Sequence, residues 1–168
     1  MSQKLVQIGL VNPKSPSNVG SVMRAAGCFG ATAVYYTGQR YARAARFNTD
    51  TKNQSLNIPL TGVDQLAEQV GDELKLVCIE LAEGATPLPE FVHPEQALYV
   101  FGPEDGSISQ ALVDKADEVV YVPTKGCLNL AATVNVVLYD RLAKSDKASG
   151  GEALIRSSRD VNNRLKAK

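Results

Sequence analysis

Three short segments of this chain carry side chains that could bind a ligand or act on one, each beside a glycine. In Asn18-Val-Gly-Ser-Val-Met-Arg24, an amide and a guanidinium lie about 1.7 helical turns apart, so both can border one pocket without touching each other. In Phe101-Gly-Pro-Glu-Asp-Gly106, glycine without a Cβ lets the backbone approach a ligand closely. The segment Val122–Tyr139 runs from an apolar strand end through a Pro/Gly turn into a helix that opens at Asn129. The amide of Asn129 can cap that helix or face a ligand.

The rest of the chain alternates strands and helices that would position these segments. Apolar runs predict strands at Leu5–Val11, Ala33–Thr37, Ser55–Leu60, Leu74–Leu81, Ala97–Phe101 and Glu118–Val122. Capping residues predict a first helix that begins at Ser17 or Asn18 and runs to Phe29, with Gly30 as the stop. Capping residues and spacing predict three further helices, from Thr61–Asp64 to Val70, from Ser107 to Lys115, and at Asn129–Lys144.

This alternation predicts an α/β fold, with a mostly parallel sheet covered by helices on both faces. The notable turns follow Leu10, Ile79, Phe101 and Val122, each at the carboxyl end of a strand. Because parallel sheets bind ligands at that edge, the sequence predicts one binding site there.

Composition limits the other classes of protein. With 168 residues and 44% hydrophobic composition, we expect one domain with a proper core. The chain has no signal-peptide pattern and no apolar run near 18 residues, so we expect a soluble cytoplasmic protein without a membrane contact. Cys28, Cys78 and Cys127 are far apart and the chain has one histidine, His93. We therefore expect neither a disulfide framework nor a metal site.

Charge is unevenly distributed although the net charge is zero. Residues 1–54 carry seven basic side chains against one acid, residues 55–120 carry thirteen acids against two basic side chains, and residues 121–168 carry nine basic side chains against four acids. The basic ends flank the motif segments, which favours a basic surface around the site, although a solvated surface with uneven charge is the alternative. Arg40, Arg43 and Arg46 lie three apart, as on one side of a short helix, and are candidates to contact the phosphates of a nucleic acid.

The three segments, in this order and at these separations, resemble the SPOUT-class RNA methyltransferases of the SpoU/TrmH group over about residues 4–143. The resemblance implies S-adenosylmethionine as cofactor, 2′-O-ribose methylation of RNA, a homodimer and a C-terminal deep trefoil knot, which general topology rules disfavour. We expect a methyltransferase domain at residues 1–145 and a basic extension at residues 146–168, either a helix or a flexible tail. The compact chain lacks an added RNA-binding domain before the motifs, which favours tRNA over rRNA.

Cofactor contacts follow from the resemblance residue by residue. It implies that Gly102, Val122 and Leu128 contact S-adenosylmethionine through main-chain groups and apolar walls, with Ile79 and Glu80 as neighbours. Without the resemblance, Val122 and Leu128 would be assigned to the core.

The resemblance also assigns catalysis to Arg24, with Asn18, Glu104 and Asn129. In 2′-O-methylation a ribose hydroxyl loses its proton as it attacks the cofactor methyl group. Since a guanidinium has a pKa above about 12 and is a poor base, Arg24 is expected to hold an RNA phosphate or to stabilise charge on the oxygen. The family is often described with this arginine as a phosphate-activated base, so both roles stay open. Glu104 either anchors its turn by accepting backbone N–H bonds or contacts a ligand.

Two departures from the family pattern leave alternatives. The usual Ser-Leu-Asn-x-Ser has Cys127 in place of the first serine and Ala131 in place of the second. The chain could therefore be a catalytically weak or silent RNA-binding module. A nucleophilic Cys127 is a third hypothesis, which needs a base such as His93.

Overall fold

The computed structural model describes residues 4–46, 58–146 and 150–168. Its seven strands are β1 (Val6–Leu10), β2 (Ala33–Tyr36), β3 (Leu60–Gly62), β4 (Lys75–Ile79), β5 (Thr86–Pro87), β6 (Ala97–Phe101) and β7 (Glu118–Tyr121). Its helices are α1 (Pro16–Phe29), α2 (Arg40–Ala45), α3 (Gln110–Val113), α4 (Leu130–Ala143) and α5 (Glu152–Ser158), with 3₁₀ turns at Leu66–Gln69 and Leu88–Glu90. No helix among the described residues combines the length and the apolar character needed to cross a membrane.

The strands form one sheet in the order β3-β2-β1-β6-β4-β7-β5. Every pairing between described strands is parallel, which confirms the predicted α/β fold. The central strand β6 is buried along its whole length, as expected for a parallel strand covered on both faces. Alternate side chains of β6 enter two separate cores: Tyr99 and Phe101 pack on one face, and Leu98 and Val100 on the other.

Helices α1 and α4 pack against each other over the first face. On α1 the buried face includes Val22, Ala25 and Ala26, and Arg24 is exposed, as the spacing predicts. The helix ends at Gly30 in the left-handed conformation (φ 72°), which confirms the predicted stop.

The start of α1 differs from the prediction. The N-cap is Ser15, whose Oγ accepts a hydrogen bond from the Asn18 N–H at 3.4 Å, and Pro16 is the first helical residue. The prediction of Ser17 or Asn18 as the cap was wrong, because proline is tolerated in the first turn, where its missing N–H has no helical partner. Asn18 therefore lies inside the helix, and its side chain is not used for capping.

Three other predicted elements also differ. The strand predicted at Ser55–Leu60 lies at Leu60–Gly62, and residues 55–57 are outside the described residues. The helix predicted after Thr61 is only the 3₁₀ turn, because Thr61 pairs with Tyr35 of β2 instead of starting a helix. The helix predicted from Ser107 is shortened to α3, since the Ile108 N–H is bonded to Glu80 and Ser109 becomes the cap.

The C-terminal part ends in two helices of different character. Helix α4 begins after Asn129, as predicted, and its buried residues include Val134, Val137 and Leu138. Helix α5 has seven residues, all of them exposed, within the segment that was expected to be either a helix or a tail.

Candidate functional site

A cleft of about 490 Å³ opens at the carboxyl ends of β4, β6 and β7 and at the start of α4. Each motif contributes to its walls, because parallel strands end at the same edge of the sheet. The cleft contains all five residues predicted to contact a cofactor and three of the four predicted to serve catalysis: Ile79, Glu80, Gly102, Val122 and Leu128, with Asn18, Glu104 and Asn129. Tyr121, Thr124 and Thr133 also line it. These three residues were not predicted from the sequence, since no local pattern distinguishes them from their neighbours.

Glu80 lines the cleft and joins two backbone segments through its carboxylate. Its Oε1 accepts a hydrogen bond from the Leu81 N–H at 2.9 Å, and its Oε2 accepts one from the Ile108 N–H at 2.9 Å. The carboxylate thus ties the end of β4 to the segment that follows the Gly102–Gly106 turn. Val122 is half-buried, whereas Leu128 is 41% exposed, so an apolar side chain faces the open cleft.

Glu104 joins the same turn to the loop that precedes α1. Its carboxylate accepts hydrogen bonds from the N–H groups of Lys14 (3.0 Å) and Ser15 (3.3 Å) and from the Asn18 Nδ2 (3.1 Å). Burial raises the pKa of Glu104, but these hydrogen bonds outweigh burial, and the net pKa lies below its ordinary value. Glu104 is therefore an ionised anchor, and it turns the amide nitrogen of Asn18 toward itself. The Asn18 Oδ1 is left as a hydrogen-bond acceptor.

Asn129 caps α4 while it lines the cleft. Its Oδ1 accepts a hydrogen bond from the Ala132 N–H at 2.8 Å, which satisfies one of the free donors of the first helical turn. The Asn129 carbonyl accepts from the Thr133 hydroxyl at 2.9 Å. The amide nitrogen of Asn129 has no partner among the described residues, so a bound ligand can use it.

Arg24 does not line the cleft. It lies on the exposed side of α1, about 9 Å along the helix from Asn18, and makes no hydrogen bond or ion pair with any described residue. The structure therefore does not bring Arg24 together with the other predicted catalytic residues. Its guanidinium is free to bind an anion.

The three arginines of α2 and its end have different surroundings. Arg40 is half-buried and makes a bidentate contact with Asp105, at 2.8 and 3.0 Å, and a 2.6 Å bond to the Asn12 carbonyl. Arg43 is exposed, and among the described residues its guanidinium donates only to Gln39, the N-cap of α2. Arg46 is exposed and makes no hydrogen bond with a described residue.

The histidine, His93, lies outside the cleft and uses both ring nitrogens in hydrogen bonds. Arg141 donates to the Tyr99 hydroxyl at 2.9 Å, the Tyr99 hydroxyl contacts the His93 Nδ1 at 2.7 Å, and the His93 Nε2 contacts Asp140 at 2.7 Å. Because the Asp140 carboxylate accepts, Nε2–H donates to it, and the Nδ1 of the neutral ring accepts from the Tyr99 hydroxyl. Both ring nitrogens are thus occupied, and His93 cannot serve as a base for Cys127, which is exposed at the rim of the cleft.

Within the described ranges, no three His, Cys, Asp or Glu side chains come together in a way that could hold a metal ion.

Comparisons with known proteins agree with this fold. Residues 5–139 match the SpoU rRNA Methylase family. Among solved structures, an rRNA methyltransferase from Sinorhizobium meliloti is similar at a TM-score of 0.71 and 19% identity, over 84% of this chain and 56% of that one. The SpoU methyltransferase AviRb from Streptomyces viridochromogenes, in complex with AdoMet, has a TM-score of 0.69 and 22% identity, over 86% of this chain and 59% of that one.

A third structure, which concerns 2-OH methylation of C/U34 on tRNA, has a TM-score of 0.68 and 20% identity, over 89% of this chain and 94% of that one. The chain spans less than two thirds of the first two proteins, and at these identities the likeness is one of fold. No curated protein sequence matches the chain.

Proposed function

Because the chain belongs to the SpoU rRNA Methylase family, we propose that it uses S-adenosylmethionine to methylate a ribose 2′-hydroxyl of RNA, most readily of tRNA. The observation that carries this proposal is the meeting of all three motifs around one cleft at the carboxyl ends of β4, β6 and β7. The tRNA preference is supported by the likeness, over 94% of that chain's length, to the structure concerned with C/U34 of tRNA.

The cleft fits the proposed cofactor. Its volume of about 490 Å³ lies within the range of small-molecule sites, and its walls combine apolar side chains with backbone turns. Ile79, Val122 and Leu128 would supply the apolar contacts, and the backbone at Gly102 would approach most closely. Leu128, at 41% exposure, would be covered by the ligand. When bound, S-adenosylmethionine supplies an electrophilic methyl group.

The chain's own residues would then orient the ribose and manage charge. Asn18, held by Glu104, presents an amide oxygen that can accept a hydrogen bond from a hydroxyl, and Asn129 presents an amide nitrogen. Arg24 would bind an RNA phosphate or stabilise the oxygen as its proton leaves. Since Arg24 lies outside the cleft and no described residue pairs with its guanidinium, the phosphate role has the stronger support.

RNA contacts are proposed for basic side chains that lie outside the cleft. Arg43 and Arg46 are available for phosphate contacts, whereas Arg40 is the least available of the three predicted arginines because Asp105 binds its guanidinium. Residues 146–168, proposed as an extension beyond the methyltransferase domain, add Arg156, Arg159 and Arg164.

A homodimer is also proposed. Helix α4 exposes apolar side chains at Val136, Tyr139 and Leu142, and together with Phe29 and Leu88 the first two border an apolar groove. A second copy of the chain would cover this surface, as the resemblance implies.

The trefoil knot is proposed on topology. Strand β7 lies between β4 and β5, although it follows both in the chain, so its segment runs beside the connection at residues 80–85. This insertion supports the knot implied by the resemblance. Tracing the chain in a crystal structure would test it, and a trace that straightens from both ends without crossing that connection would contradict it.

The direct test is methyl transfer. Purified protein, labelled S-adenosylmethionine and tRNA from a strain that lacks the protein should yield a ribose-methylated nucleoside by mass spectrometry. If S-adenosylmethionine binds and RNA binds but no nucleoside is methylated, the alternative of a silent RNA-binding module is favoured. Cys127 and Ala131, in place of two serines, are the observation behind that alternative.

A further inference from the structure

We propose that Arg40 is a positioning residue, which holds the Gly102–Gly106 wall of the cleft in place through Asp105, rather than a residue that binds RNA. This inference rests on the proposed function only in treating that turn as the cofactor wall. It separates Arg40 from the two other arginines, with which it shares a spacing of three residues.

The geometry at Arg40 is that of a clamp. Its Nη1 donates to the Asp105 Oδ2 at 2.8 Å and its Nη2 donates to the Asp105 Oδ1 at 3.0 Å, which is the parallel fork that guanidinium and carboxylate form best. The same Nη2 donates to the Asn12 carbonyl at 2.6 Å. One side chain thus joins the start of α2 to the cleft turn and to the loop before α1.

The preceding residue in the turn, Glu104, holds the other end of that loop. Glu104 accepts the N–H groups of Lys14 and Ser15, while Asp105 reaches Asn12 through Arg40. Two consecutive carboxylates therefore fix both ends of the segment at residues 12–15. This segment leads directly into α1 and so places Asn18.

The position of Arg40 is itself fixed by the backbone. Gly38 has a positive φ of 78°, and a Cβ at this position would clash with the side chain of Asn12. The Asn12 N–H donates to the Thr37 Oγ1 at 3.1 Å. The turn between β2 and α2 is therefore locked against the Asn12 loop, which delivers the guanidinium of Arg40 to Asp105.

Charge supports the same assignment. The hydrogen bond to Asp105 raises the pKa of Arg40, and the hydrogen bond from Arg40 lowers the pKa of Asp105, so both groups are ionised. The two side chains are 34% and 49% exposed. A pair this exposed contributes little to global stability. Its loss should change the position of the turn far more than the melting temperature.

The experiment compares Arg40→Gln, Asp105→Asn and the double variant. Calorimetric titration with S-adenosylmethionine, without RNA, should give a Kd raised about fivefold in each single variant, the size expected for one partly exposed charged pair. The double variant should show the same increase and not the product of the two, because both changes remove one interaction. Arg40→Lys should restore only part of the affinity, since an ammonium group cannot form the fork.

Two matched controls separate positioning from general effects. Arg43→Gln removes the same charge one helical turn away and should leave the cofactor Kd unchanged. Lys75→Gln breaks a comparably exposed ion pair with Asp117, away from the cleft, and should also leave it unchanged. All variants should melt within a few degrees of the wild type.

Hydrogen exchange gives a readout that does not need the cofactor. The amides of Lys14, Ser15 and Gly106 should exchange faster in Arg40→Gln and in Asp105→Asn, but not in Arg43→Gln. Wild-type protein that fails to bind S-adenosylmethionine would contradict the proposed function, while the exchange result would still decide the role of Arg40. Unchanged exchange together with an unchanged cofactor Kd in Arg40→Gln would overturn the inference. So would independent, multiplying effects of the two single variants.

Discussion

Arg24 carries a charge that no described residue neutralises, on the exposed side of a helix whose other face is core. Replacement by alanine should therefore leave stability within about 0.5 kcal/mol, since exposed side chains without partners contribute little to folding. It should abolish methyl transfer and leave the affinity for S-adenosylmethionine nearly intact. Turnover assays and calorimetry would check the two expectations, with Arg24→Lys as the variant that keeps charge without the planar fork. Full turnover in Arg24→Ala would mean that the catalytic assignment is wrong.

His93 is the only histidine, so its titration can be followed without interference from another. Burial lowers its pKa, and so do Arg141 and Lys144, while the hydrogen bond to Asp140 opposes them. The folded state thus favours neutral His93, and its contribution to stability is present above the unfolded pKa of about 6.5 and is lost as pH falls through the lower folded pKa. We expect unfolding free energy to fall as pH drops below about 6.5, with a slope of at most about 1.4 kcal/mol per pH unit for one proton.

Denaturant titrations across pH 4.5 to 8 would measure this slope. His93→Gln should be less stable at neutral pH, because the chain of hydrogen bonds from Tyr99 to Asp140 is broken, but its stability should vary less between about pH 5 and 6.5. An equal slope in the variant would assign the pH dependence to other groups.

At the scale of secondary-structure elements, Asn129 both stabilises the start of α4 and lines the cleft. Asn129→Ala removes the cap of α4 and should cost about 1 kcal/mol, or roughly 2–4 °C in Tm for a chain of this size. Asn129→Ser keeps a capping oxygen but lacks the amide nitrogen. We expect serine to restore the melting temperature and not the turnover. If serine restored both, capping alone would account for Asn129.

Helix α2 offers a second test at this scale. Arg43→Gln and Arg46→Gln should each weaken tRNA binding and reduce the slope of log K against log salt by about one, as for one lost phosphate contact. Arg40→Gln should change that slope least, because its charge is already paired with Asp105. Fluorescence binding across a salt series would measure the slope for all three variants. Equal changes in the three slopes would mean that Arg40 binds RNA as Arg43 and Arg46 do.

Much of the framework was predictable, because the signals are local. Buried runs gave β1, β4, β6 and β7, and a glycine stop gave the end of α1. The meeting of their carboxyl ends then followed from the parallel sheet. The shortening of α3 was not predictable, because a distant group bonds to a backbone atom: the carboxylate of Glu80 accepts the Ile108 N–H, 28 residues away.

The Arg40–Asp105 pair has the same origin. The two residues are 65 positions apart, and no spacing rule joins them. A triplet of arginines looks uniform in the sequence, and only the fold distinguishes the paired one from the free ones.

For the whole molecule, the apolar face of α4 predicts a dimer. Tyr139 is 62% exposed beside Val136. A second copy of the chain would remove this apolar surface from water. Tyr139→Glu should give a monomer in light scattering, whereas wild-type protein should scatter as twice the 18.0 kDa chain. Val92→Glu changes an apolar and still more exposed residue outside this groove and should leave the dimer intact. A stable wild-type monomer at micromolar concentration would rule the dimer out.

The three cysteine thiols lie in three different environments, so one thiol-reactive compound can probe three parts of the protein separately. Cys127 lies exposed at the rim of the cleft, Cys28 lies exposed on α1, and Cys78 is buried in β4, where burial raises its pKa to about 12. With a mild alkylating agent, the extent of modification of Cys127 would report whether the cleft is occupied, and that of Cys28 would serve as an internal reference. Cys78 would stay unmodified until the sheet unfolds. Ligand screening and unfolding could be followed on one unmodified chain by mass spectrometry.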